Sequence, residues 1–565
     1  FPLLIPLSSH PAMMHLHTCL LVVLCSFYMA QTAGDDEIRQ KVKGFIQKGL
    51  DCHNNPALAI SVVKDGEILF AEGFGLKNIS DPSSLVTNRT LFGIASLSKA
   101  FAATLLMKLL DGNKKFSLSS KVSDILGKED VFYGKLRSQY ATLEDLLAHR
   151  LGVPSNNNIR LDDSLTRENL VGRLKYLKPA GGFRTSFYYN NLMYGLITYI
   201  TERLGGRKWE DMVTTELFQP LGMTSSDFVT TVDLEKVDFA VGYFDKDGQL
   251  YEVPNEFSRL WGLLCGSGCV LSNALDMAKW MMFHLSGGRN TEGVWVLREG
   301  VLGEAHKRQQ PIPASTISSY LTRPAAPVAF SEDNYGLGWM IGYYRGYPLL
   351  THTGSTDGYR ALLTLYPNQR LGIFTVMTGD DPSYIFRSNL HNYVSDLYLN
   401  EEPWLNVSTI CTFPEPWFEK KPSTKRTPID KNIEPIRAND SYVGVYNNEA
   451  YGDIKIHISE DKNLMATYGY ASFLLFAKKT SDVFYAEGTG LLKNVKDFTT
   501  FRFVDKSNSS NLMNTLEIPS FESQDPPVFT RRKAVAIHIS RANRMANCIA
   551  RAYLTLFVLV VTVIW

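Results

Sequence analysis

Apolar and polar positions divide the chain into segments of different period. Residues 35–50, DDEIRQKVKGFIQKGL, carry apolar side chains at helical spacing and predict a helix ending near Gly49. In LAISVVKDGEILFAEGFG the pattern alternates on both sides of Asp65-Gly66, which predicts two strands joined by a tight hairpin. SLSKAFAATLLMKLLDGN is rich in Ala, Leu and Met and closes at Gly112, so it reads as a buried helix beginning at Ser96. Thr142 and Asp145 stand at capping-box spacing at the head of TLEDLLAH. NLMYGLITYITERLGG is a further helix with glycine at its C-terminal end. From Tyr335 alternation returns and predicts an antiparallel meander, with turns at Arg345-Gly346 and Pro367-Asn368. Helices bracketing an antiparallel sheet predict an α+β domain over residues 35–400.

Beyond that domain the pattern weakens. Six prolines between Pro403 and Pro435 interrupt helix and ladder bonding, so residues 401–438 are expected as a linker. Short alternating runs between Gly and Asn turns predict a small β domain over 439–531. At the start, an apolar run from Cys19 to Tyr28 leads to the small residues Ala30 and Ala33. Residues 1–33 are therefore expected as a secretory signal, with the residues ahead of Met13 or Met14 as upstream read-through. Within the tail, 532–565, the run Ala552–Trp565 is uncharged and apolar. It is shorter than the roughly 20 residues a membrane-spanning helix needs. With Ser540, Ala542 and Asn543 upstream it fits a lipid-anchor signal, a short tail anchor being the competitor.

Charge and cysteines narrow the partners. The 58 basic and 57 acidic residues nearly cancel, which leaves no basic field for nucleic acid. Five Asn-x-Ser/Thr sites, at Asn78, Asn88, Asn406, Asn439 and Asn508, agree with a secreted or surface protein held at the membrane by its C-terminal end. Cys52, Cys265, Cys269 and Cys411 allow two disulfides in an oxidising compartment, with the pairing open. Cys265 and Cys269 have no nearby histidines at zinc spacing, so neither a metal nor a cofactor is expected.

Three Ser-x-x-Lys matches occur: Ser61/Lys64, Ser96/Lys99 and Ser459/Lys462. The first lies on a strand, where an offset of three places its members on opposite faces. The last lies in the polar turn SEDK. Only Ser96 opens a helix, where i and i+3 share a face and Lys99 reaches the serine hydroxyl. A lysine buried in an apolar helix loses its proton near neutral pH and serves as a base. Tyr189-Asn190-Asn191 immediately precedes a helix, on a loop that faces its polar side chains to a cleft. His352-Thr353-Gly354, followed by Ser355, lies at a strand end where a glycine lets another backbone approach, such as a substrate added as a strand.

The order of these blocks resembles the class C serine β-lactamases, the D-alanyl-D-alanine carboxypeptidases and the related esterases and D-aminopeptidases. FGIASLSKAFAATLLMKLLDGNKKFSLSSKVSDIL, ATLEDLLAHRLGVP, FYYNNLMYGL, LFQPLGMTSSDF, GCVLSNALDMAKWM and YGLGWMIGYYRGYPLLTHTGSTDGY are similar to family blocks in the same order, over about residues 40–390. The resemblance implies a β-lactamase/transpeptidase-like fold with an all-helical subdomain. The β domain after 440 is more loosely similar to a lipocalin-like appendage of some members. It implies Ser96 as the acylated nucleophile, Lys99 as its base and Tyr189 as proton relay. It further implies Asn191 as a ligand of the substrate amide, and the N–H groups of Ser96 and Ser355 as the oxyanion hole. His352, Thr353, Gly354 and Ser355 then line the substrate. Many members have Lys-Thr-Gly where this chain has His352-Thr353-Gly354. His352 is expected to titrate near 6.5 and so to lose charge through the physiological range. The expected activity is hydrolysis of an ester, amide or small peptide through an acyl-enzyme. The alternative is a catalytically silent surface binding module on the same fold.

Overall fold

A computed structural model describes residues 34–533, apart from 315–320, 323–324, 420–428, 480, 494–499 and 505–510. The expected signal segment and residues 534–565 of the tail lie outside the described residues. Among those described, no helix is long and apolar enough to cross a membrane.

The centre of the main domain is an eight-stranded sheet paired antiparallel throughout. Its order across the sheet is Glu67–Gly75, Ala57–Lys64, Leu371–Thr378, Tyr359–Tyr366, Tyr347–Thr356, Met340–Tyr344, Phe330–Tyr335 and Gln310–Pro311. The hairpin forms where alternation places it, with Asp65 and Gly66 both at positive φ (52° and 88°), as a two-residue turn of this twist requires. Arg345-Gly346 does the same in the meander.

One face of the sheet is covered by the helix over 34–53 and by Ile385–Tyr398, whose Phe45, Ile46, Leu390 and Val394 are fully buried. The first helix does not stop at Gly49. That glycine lies under the Phe386 ring, where a Cβ would collide with it, so it is a packing notch and not a terminator. The other face carries Ala274–Leu285 and a helical layer. In that layer Ser98–Leu110 is buried on nearly every side, as its composition predicts. Leu143–Leu147 starts on the expected capping box of Thr142 and Asp145.

Residues 401–418 differ from a free linker. Cys411 is joined to Cys52, and Leu405, Ile410 and Phe413 are buried in the core beneath the first helix. Proline content stopped regular structure there, but the intervening apolar side chains still found a groove to fill. Farther on, eight antiparallel strands from Gly444–Asn448 to Val528–Arg531 close into a barrel. An eight-stranded barrel is just wide enough for its own side chains. Tyr446, Phe473, Phe484, Phe501, Phe503 and Phe529 fill it.

Candidate active site

Ser96 sits in a 3-10 turn, Ala95–Leu97, and the α-helix proper begins at Ser98. Ala95, just before the serine, has φ 48°, a left-handed conformation that costs an alanine about a kilocalorie or more and lifts the serine out of the regular helix start. Near a helix start the Ser96 N–H has no intrahelical acceptor. One turn on, Lys99 is fully buried. Its Nζ donates to Ser96 Oγ (3.0 Å), Asn191 Oδ1 (2.6 Å) and the Ser267 carbonyl (3.0 Å). Burial alone holds the Lys99 ammonium well below its ordinary value, and no carboxylate offsets it. Tyr189 is 4.6 Å from Lys99 Nζ, measured to its ring centre. Burial raises its phenol above the ordinary value of 10, the Ser96 hydroxyl being the opposing partner. The same dry pocket thus lowers the proton affinity of the Lys99 amine and raises that of the Tyr189 phenol, shifts of opposite sign in neighbouring groups.

The tyrosine is held from several directions. Arg184 forks onto the buried Asp145 carboxylate at 2.7–3.1 Å. Tyr188 N donates to the His149 carbonyl (3.2 Å), and Asn190 N to His149 Nδ1 (3.1 Å). Asn190 then caps the helix Asn191–Gly205 through Leu192 N and Met193 N. The rings of His149 and Tyr189 lie 4.5 Å apart. From sequence Asp145 was legible only as a helix cap and Asn190 only as part of the loop before the helix, while Arg184 gave no signal and His149 lies within the quoted ATLEDLLAHRLGVP block.

Asn191 is engaged inside the protein at both ends of its amide: Oδ1 accepts from Lys99, and Nδ2 donates to Asn157 Oδ1 at 3.1 Å. It holds the base.

The strand Tyr347–Thr356 passes beside the serine, but Gly354 has another use than the one expected. A Cβ there would collide with the carbonyl of Ile94, so the backbone that approaches it is the serine turn itself. The neighbouring strand Met340–Tyr344 pairs only as far as Thr351, so the edge beyond is open. Thr356 and Tyr359 close a two-residue hairpin as a bonded pair. The next pair, Ser355–Arg360, is therefore unbonded, and the Ser355 N–H points to the open edge. Ser355 is exposed and Thr353 half-buried. Behind them, buried Arg387 is bound to Asp381 (2.7 Å) and donates to the carbonyls of Gly354 and Ala361, both at 2.7 Å.

His352 does not titrate near 6.5. It is 1% exposed, and burial together with the nearby Lys99 ammonium brings it down to about 3, with the Thr353 carbonyl opposing. Its Nδ1–H donates to that carbonyl (2.7 Å), so Nε2 accepts from the Tyr335 hydroxyl (2.9 Å). The ring is neutral at every physiological pH. The sequence showed a histidine at a strand end, but only packing decides whether it meets water.

The other two Ser-x-x-Lys matches form no site. Ser61 is fully buried, while Lys64 reaches the Tyr398 carbonyl. Ser459 and Lys462 close a turn. Cys265 is joined to Cys269, which removes both as thiolate ligands, and nearby Glu210 is bound by Arg167.

Beside Tyr189 opens a cleft of about 830 Å³. Phe187, Tyr188 and Pro311–Pro313 line it with Glu522, Ser523 and Gln524 of the barrel, and among the described residues no Lys or Arg is in the lining. Glu522 accepts from Ser155 Oγ and Asn156 N, both at 3.1 Å, and Tyr451 donates to Asn156 Oδ1 (2.8 Å). The barrel thus anchors the loop next to Asn157, which holds Asn191 and through it Lys99.

The profile of the Beta-lactamase family matches residues 42–393. The chain belongs to the Beta-lactamase family. Among curated relatives, Gigasin-6 of Magallana gigas is 38% identical over 272 residues, 48% of this chain and 89% of that protein. Unguisins hydrolase ungD' of Aspergillus campestris is 26% identical over 459 residues, 76% of this chain and 80% of that protein. In fold, the octameric penicillin-binding protein homologue from Pyrococcus abyssi covers 87% of this chain and 99% of its own, with a TM-score of 0.53 at 21% identity. A class C beta-lactamase covers 65% of this chain and 98% of its own at TM-score 0.50 and 20% identity. The family's fold is therefore the fold of this domain, and the barrel lies beyond the residues the profile matches.

Proposed function

We propose that this Beta-lactamase family member is a serine hydrolase that cleaves an ester or amide bond through an acyl-enzyme on Ser96. One observation carries the reading: a fully buried lysine without a carboxylate partner lies 3.0 Å from the serine hydroxyl. Ser96 Oγ adds to the substrate carbonyl while its proton moves to neutral Lys99 Nζ. The oxyanion forms between the N–H groups of Ser96 and Ser355. As the tetrahedral intermediate collapses, the proton passes from Lys99 through the Tyr189 hydroxyl to the leaving alcohol or amine, and the acyl group stays on Ser96. Water then repeats the sequence in reverse and releases the acid, with Lys99 again neutral.

The neutral His352 and a cleft lining without Lys or Arg among the described residues favour a substrate that carries no negative charge beside the reacting carbonyl. The relatives named as unguisins hydrolases agree with hydrolytic chemistry in this family. Two disulfides, Cys52–Cys411 and Cys265–Cys269, support an oxidising, secreted or surface location. So do exposed Asn406 in its sequon and the apolar tail segment.

Incubation with an activated neutral ester, followed by intact mass and peptide mapping, tests the reading. The expected result is one acyl adduct on Ser96, absent in Ser96→Ala. Failure of a broad panel of acylating probes to modify Ser96 in folded protein would leave the silent binding module as the better account.

A further inference from the structure

A second cavity, of about 270 Å³, lies between the main domain and the barrel. Arg160, Asp162, Arg167, Arg259 and Gly262 line it, and Tyr470 of the barrel closes it. Arg160 is only 8% exposed and makes no hydrogen bond or ion pair. Its Nε and Nη1 are sealed from water without an acceptor, which leaves Nη2 as the nitrogen open to the cavity. Its guanidinium lies 4.5 Å from the Trp261 ring centre and 5.0 Å from that of Phe257. Those rings orient the cation but offer it no oxygen.

A buried cation with no acceptor is costly, and native proteins rarely tolerate one without a partner. The charges around the cavity do not supply it. Arg167 is bound to Glu202 and Glu210. Asp162 is taken by Arg173 (3.3 Å) and the Ser164 hydroxyl (2.7 Å). Asp357 is the one acid whose charge acts on Arg160, and it stands beyond ion-pair distance. Arg259 spends its guanidinium on the carbonyls of Thr230 and Val232 and has no acidic partner among the described residues. Two guanidinium groups, those of Arg160 and Arg259, therefore face one cavity with no carboxylate bound to either among the described residues.

We propose that this cavity binds a small oxyanion, a carboxylate or phosphate group, with Arg160 as its principal ligand and Arg259 as the second positive wall. Its position gives such a ligand consequences for the catalytic base. Arg160 lies on the 3-10 helix Asn157–Leu161, whose Asn157 holds Asn191, which accepts from Lys99. The opposite wall is the 3-10 helix Leu260–Leu264, which runs directly into the turn carrying the Ser267 carbonyl, another acceptor of Lys99. An anion bridging the two segments touches both supports of the base.

Calorimetric titration of the full chain with sodium phosphate and with sodium acetate, at ionic strength matched by chloride, tests the site. Saturable binding at one site per chain is expected. Arg160→Met should weaken it roughly ten- to a hundredfold, the range for one charge-assisted pair. In anion-free buffer the same variant should melt no lower than the parent, because it removes an unpaired buried charge. If Arg160→Met does not fold, Arg259→Gln should show a weaker loss of the same binding. Kinetics with a neutral ester and its carboxylate-bearing analogue separate two sources of the anion. Phosphate competing only against the carboxylate ester identifies the substrate's own carboxylate as the ligand. Phosphate changing kcat for both esters identifies a free effector. Absence of saturable binding of either anion to the parent chain, or equal affinity in Arg160→Met, overturns the proposal, as does a lower Tm for that variant in anion-free buffer.

Discussion

Replacing His352 by lysine restores the residue many family members carry, and burial predicts that it will fail here. The fall of His352 from 6.5 to about 3 corresponds, at about 1.36 kcal/mol per pH unit, to roughly 5 kcal/mol against a positive charge at this point. A lysine placed there either keeps its charge beside Lys99 or surrenders a proton it normally holds to about 10.4, and either costs several kcal/mol at pH 7. His352→Lys should therefore lose about 4–5 kcal/mol of stability, a Tm decrease on the order of 10 °C for a domain of this size. It should gain nothing on carboxylate-bearing substrates. His352→Gln keeps an N–H for the Thr353 carbonyl and an oxygen for Tyr335, so it should cost about 2 kcal/mol or less and keep most activity. Thermal melts at pH 7.5, with kcat/KM for a carboxylate ester and its methyl ester, provide the measurement. A His352→Lys variant with the parent Tm and improved turnover of the carboxylate ester would refute the burial argument.

Three further outcomes are expected. His352 and His391 both stand at about 3 in the folded chain, below about 6.5 unfolded. Their contribution to stability is complete above pH 6.5 and is lost as pH falls towards 3. At pH 5 each has given up about 2 kcal/mol, and urea unfolding of His391→Gln should lose about that much less between pH 7 and 5 than the parent does. Gly354→Ala should push the Ile94 carbonyl and the serine turn apart and lower kcat/KM by about a hundredfold, the scale for a 1 Å misplacement. Unchanged kinetics would show that the turn yields freely. Tyr451→Phe removes the hydroxyl that fixes Asn156 and should reduce kcat about fivefold with KM within a factor of two. A change confined to Tm would make that tyrosine purely structural.

Local order was legible along the chain wherever neighbours in sequence are neighbours in space. The Asp65-Gly66 hairpin, the capping box at Thr142 and the pairing of Ser96 with Lys99 across one helical turn all depend on separations of four residues or fewer. Tyr189 was placed on its loop by the helix that follows it. Proline spacing marked where regular structure ends after 400, but not that Leu405, Ile410 and Phe413 would still be buried, because spacing carries no information about the groove that receives them.

By itself, then, the sequence determined the α+β order of elements, the one Ser-x-x-Lys at a helix start and the family they resemble. Tertiary structure alone decided what surrounds those groups. It buried Lys99 away from every carboxylate and so lowered the proton affinity of its ammonium, as the proposed base needs. It sealed His352 against Tyr335, removing a charge that its residue type permits. It turned Gly354 towards Ile94, joined Cys52 to Cys411 across 359 residues, and brought Glu522 and Tyr451 of the barrel to the loop beside Asn157. Proton affinity depends on solvent exclusion and nearby charge. Both are properties of the packed chain, set by segments hundreds of residues apart, so no local pattern encodes them.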